Sequence, residues 1–132
     1  MCCSCRCNCT LAAIVASVVL GVVAAFLQIA GVFTATVVFA WVALGVAVVY
    51  LGLVLLSTAL ARADGSACKC AALNALLVGI LGTALVSLVL LAVGIVATSV
   101  VSALLVGLLV AFLALILAST ACLVRNLADC GA

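Results

Sequence analysis

Six charged side chains, Arg6, Arg62, Asp64, Lys69, Arg125 and Asp129, are all that this chain of 132 residues carries, and they leave residues 7–61 and 70–124 with no charge at all. A soluble domain needs roughly a quarter of its residues charged to stay in water. Here the charged fraction is 5% and 73% of residues are hydrophobic, so the solvent of most of the surface has to be lipid. A helix crossing a ~30 Å hydrocarbon core uses about 20 residues. Each uncharged stretch is far too long for one crossing and fits two, joined by a tight turn.

The apolar runs are continuous and do not alternate with polar residues, which argues against the strands of a membrane barrel; in lipid, a helix pairs its own backbone groups within the segment. The predicted fold is therefore all-α: a polytopic membrane protein with four transmembrane helices in two hairpins forming a compact bundle. The chain divides as a Cys-rich tail over 1–10, spans over 11–30 and 37–58, a charged Cys-containing loop over 59–72, spans over 73–95 and 101–124, and a tail over 125–132. The first apolar run is too long for a signal peptide, and Gln28-Ile29-Ala30-Gly31 offers no clear cleavage site, so it is read as a retained span.

Two hairpins return the chain twice to the side it started from. Parity thus places both termini and the 59–72 segment on one face, with every charge and all nine cysteines. All four Lys and Arg residues flank helix ends there and the two opposite turns carry none, so the positive-inside rule assigns that face to the cytoplasm of an integral cell-membrane protein.

An offset of 63 residues lays Cys5-Arg6-Cys7 on Cys68-Lys69-Cys70, Gly31 on Gly94, Ser57 on Thr120 and Arg62 on Arg125. This pattern suggests a parallel internal duplication, with a pseudo-two-fold axis along the membrane normal. Small residues also recur at helical spacing: Ser17, Gly21 and Ala25; Gly45, Gly52 and Ala59; Gly79, Thr83 and Ser87; Ala103, Gly107 and Ala111. Lipid tails are as apolar as leucine, so membrane helices associate by close backbone approach along such stripes, and all four are expected to be helix contacts.

Chemistry has few candidates. The spans hold no Asp, Glu, Lys, Arg or His, which disfavours ion-coupled transport and proton relay. Gln28 is a strongly polar residue within a span and is expected to be structural, bonded across helices or placed at the far interface. Trp41 reads as an interfacial anchor. No catalytic constellation is recognisable, and an enzyme is not expected.

The thiols are the distinctive signal. Cys2, Cys3, Cys5, Cys7 and Cys9 crowd the N-terminus, Cys68 and Cys70 flank Lys69, and Cys122 and Cys130 flank the last charged segment. Closely spaced thiolates are suited to zinc, Cu(I) or an iron–sulfur centre, so Cys2, Cys3, Cys5, Cys7, Cys9, Cys68 and Cys70 form the candidate metal set, with Cys122 and Cys130 less favoured. Inert reduced thiols, lipid-modified thiols, or disulfides in the reverse topology are the competing readings.

The Cys-dense start, the two apolar hairpins and the basic Cys-containing central segment resemble uncharacterised small Cys-rich four-helix membrane proteins of Firmicutes. The resemblance is one of composition and implies the fold but no activity. Small multidrug exporters match in size but depend on a carboxylate in the first helix, which is missing here. Mercury transporters carry their vicinal thiols inside a helix, unlike Cys2 and Cys3, and quinone-linked disulfide-forming proteins act outside the cytoplasm. The expected function is a small membrane protein of structural or interaction type with a one-sided cysteine cluster as a candidate soft-metal site. Metal-handling or thiol-redox activity is the alternative, and an oligomeric pore or holin-like role a further one. The expected partners are the lipid bilayer and a second copy or another membrane protein, with no nucleic acid.

Overall fold

The computed structural model describes residues 8–32, 34–60, 67–94 and 99–131. Four helices follow one another: α1 (Asn8–Ile29), α2 (Val37–Leu60), α3 (Ala67–Val93) and α4 (Val100–Gly131). Each contains a span long and apolar enough to cross a membrane, namely Cys9–Ile29, Val37–Leu56, Leu73–Val93 and Val100–Arg125. The all-α, four-span bundle expected from the sequence is what the structure shows, and the chain is a multi-pass membrane protein by that measure.

The far-side turns follow from local chemistry. Gly31 (φ 72°) and Gly94 (φ 80°) end α1 and α3 in the left-handed region, where a side chain would be strained. The Gly31 N–H donates to the Gln28 carbonyl at 3.1 Å and the Val32 N–H to the Leu27 carbonyl at 3.1 Å. These two bonds close the last turn of α1 and occupy carbonyls that lipid could not solvate. At the end of α3, the Gly94 N–H donates to the Leu90 carbonyl at 3.0 Å. On the other side of each turn the carbonyls of Thr36 and Ser99 accept the first bonds of α2 and α4, from Phe39 at 3.0 Å and Ala103 at 3.1 Å. Gly31 and Gly94, and likewise Thr36 and Ser99, are 63 residues apart.

At the cysteine-bearing end the helices outrun the predicted spans. α3 begins at Ala67 and takes in Cys68, Lys69 and Cys70, and α4 continues past Arg125 to Gly131. Charge marks where lipid gives way to water, but without a proline the helix itself has no reason to stop there.

The helices pack in the spatial order α1, α4, α3, α2. α1 lies along α4, α4 along α3, and α3 along α2, while among the described residues α1 and α2 do not pack along each other. Neighbours in this order run antiparallel. One core cluster joins Ala40 and Ala43 of α2 to Val86 and Leu90 of α3 and Val106 and Leu109 of α4. A second, nearer the cysteine-bearing end, joins Ala47 and Val54 to Leu76, Ile80 and Ile116. Large apolar side chains such as Val18, Leu53, Leu85 and Leu117 stand outward, as a lipid-solvated surface requires.

Candidate functional site at the cysteine-bearing end

The α1–α4 seam is built on glycine. A Cβ on Gly21 would meet the Ala111 Cβ at 2.6 Å and the Gly107 carbonyl oxygen at 2.7 Å; one on Gly107 would meet the Ala25 Cβ and the Gly21 carbonyl oxygen at 2.7 Å each. Two backbones are thus in direct contact, which only glycine at both positions allows. From that crossing, α1 runs back twelve residues to Cys9 and α4 runs on eleven from Ala111 to Cys122. At 1.5 Å per residue those lengths are about 18 and about 17 Å, so the two sulfurs arrive at the same level.

There they form a disulfide. Cys9 and Cys122 are joined with their Cα atoms 6.1 Å apart, closing a link across 113 residues of sequence. This spacing lies within the roughly 4.4–6.8 Å that a disulfide spans without moving the backbone. The bond ties the second residue of α1 to the last third of α4 and closes the seam at its water-facing end. Cys122 is buried at 7% exposure, whereas Cys9 and its neighbour Thr10 are half-buried and Leu11 is exposed.

Polar groups around the seam are few. Ser119, one turn deeper than Cys122, is 1% exposed, and its hydroxyl has no hydrogen-bond partner among the described residues. The Ser17 hydroxyl donates to the Ile14 carbonyl at 2.8 Å, Thr83 to Gly79 at 2.8 Å and Thr120 to Ile116 at 2.7 Å. These bonds within a helix satisfy hydroxyls that apolar surroundings would otherwise penalise. At the far end Gln28 is buried at 3%, with its Oε1 unpaired among the described residues. Trp41, 61% exposed in the second turn of α2, stands where an interfacial anchor is expected.

Parity placed Cys9 and Cys122 at one end of the molecule, and the structure brings them together. A sulfur held in a disulfide is no thiolate ligand, so while the bond is intact Cys9 leaves the predicted metal set. Cys2, Cys3, Cys5 and Cys7 lie outside the described residues, and the backbones of Cys68, Cys70 and Cys130 are helical. Among the described residues no three metal-ligating side chains cluster.

The pairing itself was missed by sequence reasoning, although a signal existed. Continuing the Ser17, Gly21 and Ala25 stripe backwards in steps of four reaches Ala13 and then Cys9. Continuing the Ala103, Gly107 and Ala111 stripe forwards through Ala114 and Ala118 reaches Cys122. Cysteine is a small residue, and each one ends the small-residue seam of its own helix.

On the open side of the bundle, Leu27 of α1, Phe39 of α2 and Leu113 and Leu117 of α4 line a wholly apolar groove of about 410 Å³. No family model, no curated protein and no solved structure matches the chain.

Proposed function

We propose that this is a small multi-pass membrane protein of structural or interaction type whose cysteine-bearing end undergoes reversible thiol–disulfide exchange at the bilayer surface. The observation that carries the reading is the Cys9–Cys122 disulfide, taken with its position at the end of the molecule to which all four Lys and Arg residues belong. Basic flanks point that end to the cytoplasm. In a reducing compartment a disulfide is as a rule transient, catalytic or redox-sensing and not a permanent staple. A bond that holds α1 to α4 there works as a redox-responsive clasp on the seam, and the other seven cysteines supply thiols on the same face.

The test is to quench growing cells with acid, alkylate free thiols, isolate the membranes and map the Cys9- and Cys122-containing peptides without reduction. The expected result is a disulfide-linked fraction that falls when cells are given a permeant thiol and recovers when it is withdrawn. Two results sink the reading: Cys9 and Cys122 fully alkylated under every condition, or a disulfide that no thiol reduces in the folded protein. A membrane-impermeant maleimide applied to intact cells tests the orientation separately. Labelling of Cys9 after mild reduction in intact cells would place this end outside and make the bond a permanent staple.

A further inference from the structure

Thiol–disulfide exchange is an in-line displacement at sulfur, so the two halves of a disulfide are equivalent only when both can be approached. Here they are not. Cys122 is 7% exposed on the buried side of α4, with the fully buried Ser119 one turn below it. Cys9 is half-buried as the second residue of α1, beside the half-buried Thr10. Arg125, one turn beyond Cys122 on α4, is exposed.

We infer that Cys9 is the sulfur that exchanges with a thiol reductant from the aqueous phase, and that Cys122 is the buried partner that departs and later re-forms the bond. This assignment rests on the exchange reading above. In the reducing direction an external thiolate attacks the Cys9 Sγ, a new sulfur–sulfur bond forms there, and the Cys9–Cys122 bond breaks. The electron pair leaves on the Cys122 Sγ, which takes up a proton from the interface. A second external thiolate then attacks the external sulfur of the mixed disulfide, and Cys9 departs as a thiolate. Two thiols are oxidised to one disulfide and the protein disulfide is reduced to two thiols. In the oxidising direction the Cys9 thiolate attacks a small disulfide, forming the same mixed species and releasing one small thiolate. The Cys122 thiolate then attacks the Cys9 Sγ and displaces the second small thiolate to restore the clasp. The Gly21–Gly107 crossing lies about 18 Å deeper along α1 and does not depend on the bond, so it keeps Cys122 within reach of Cys9 throughout.

The test uses the oxidised full-length chain in lipid nanodiscs, with glutathione as the reductant. The reaction is stopped with acid at short times, and glutathione adducts are mapped by peptide mass spectrometry. Adduct on Cys9 is expected to exceed adduct on Cys122 at least tenfold. As a second measurement that needs no native disulfide, oxidised glutathione should modify Cys9 in Cys122→Ser at least tenfold faster than it modifies Cys122 in Cys9→Ser. That difference should vanish when both variants are unfolded in hot SDS. Equal adducts, or adducts favouring Cys122, overturn the assignment while leaving exchange in place. A native disulfide wholly resistant to glutathione overturns both the assignment and the exchange reading.

Discussion

The two hairpins of this chain share the residues that bound their far-side turns and differ in whether they close. Gly31 and Gly94 cap α1 and α3 in the same left-handed conformation, and Thr36 and Ser99 open α2 and α4 at matching positions. Yet α3 packs along α4, while α1 leaves α2 and packs on α4 instead. The residues at the crossing account for the difference. α3 carries Gly79 and Gly82 where α4 presents Ile116 and Phe112; a Cβ on Gly82 would lie 2.6 Å from ring atoms of Phe112. The same offset of 63 puts Ala16 and Val19 in the places of the two glycines, and Leu53 and Val49 in those of Ile116 and Phe112. Val19, Val49 and Leu53 are all exposed. In lipid no hydrophobic force pushes helices together, so a pair closes where small residues let it approach, as Ala40, Ala43 and Ala47 of α2 do among the core residues shared with α3.

The strongest way to break this comparison is to remove the glycine that lets α1 sit on α4. Gly107→Leu pushes a branched side chain into the Gly21 carbonyl and Ala25, neither of which can move without shifting a backbone. The expected loss is about 3 kcal/mol, the upper end for overpacking. Leu108→Ala, which truncates a neighbouring side chain that is 45% exposed, should change stability by under about 1 kcal/mol. Unfolding of both variants by SDS titration in mixed micelles separates them. Equal losses would mean that glycine contact does not hold the seam.

Next in size is the disulfide. A link across 113 residues would constrain a soluble unfolded chain strongly. Here the reference state is a set of inserted helices already confined by the bilayer, so the low end of the usual range applies, about 2 kcal/mol. Reduction of the wild type and Cys122→Ser should lower the unfolding midpoint equally in the same titration, and reduction should add nothing to the variant. A further drop on reducing Cys122→Ser would show that some other sulfur pair supports the fold.

How far the sequence carried can be argued residue by residue. Span number and the all-helical fold were legible because six charges among long apolar runs leave no other solution. The first turn was legible through Gly31, whereas Gly94 was placed inside the 73–95 span and instead follows the end of α3 at Val93. Three of the four small-residue stripes are contacts as expected: Gly21 and Gly107 touch across one seam, and Gly79 lies against Ile116 across another. What could not be read was which helix each stripe meets. A stripe specifies close approach but not its partner, and chain neighbours such as α1 and α2 are the natural first guess. The helical extensions through Cys68 and Arg125 were hidden because hydropathy reports the edge of the lipid and not the end of the helix.

A smaller effect sharpens the account of the closed hairpin. Gly82→Ala adds one methyl where the Phe112 ring lies, but a ring is the movable end of a side chain and can tilt away. The expected loss is about 1 kcal/mol, below that of Gly107→Leu because no backbone has to move. Coupling tells strain from propensity. In a Phe112→Leu background the ring is gone, and Gly82→Ala should become neutral or mildly stabilising, since alanine favours the helix over glycine by about 1 kcal/mol in water-based scales. Additive effects of the two substitutions would mean the ring does not press on Gly82.

The smallest expected effect falls on α2, where the two glycines of the fourth stripe meet nothing within 4 Å. Cβ atoms on Gly45 and Gly52 would find open space within 4 Å, and both residues face outward on the helix of the open hairpin. Leucine at either place adds a side chain that lipid solvates as readily as its neighbours Val48 and Val49, both 61% exposed, so stability should stay within about 0.5 kcal/mol of wild type. The contrast with Gly107→Leu is the sharpest available, because the same substitution is made at the same kind of residue in the same kind of stripe. Only the presence of a facing backbone differs. If Gly45→Leu were to cost as much as Gly107→Leu, the outer face of α2 would have to be covered in the membrane by another helix. A dilution series of the wild type in detergent would then show the unfolding midpoint falling with protein concentration.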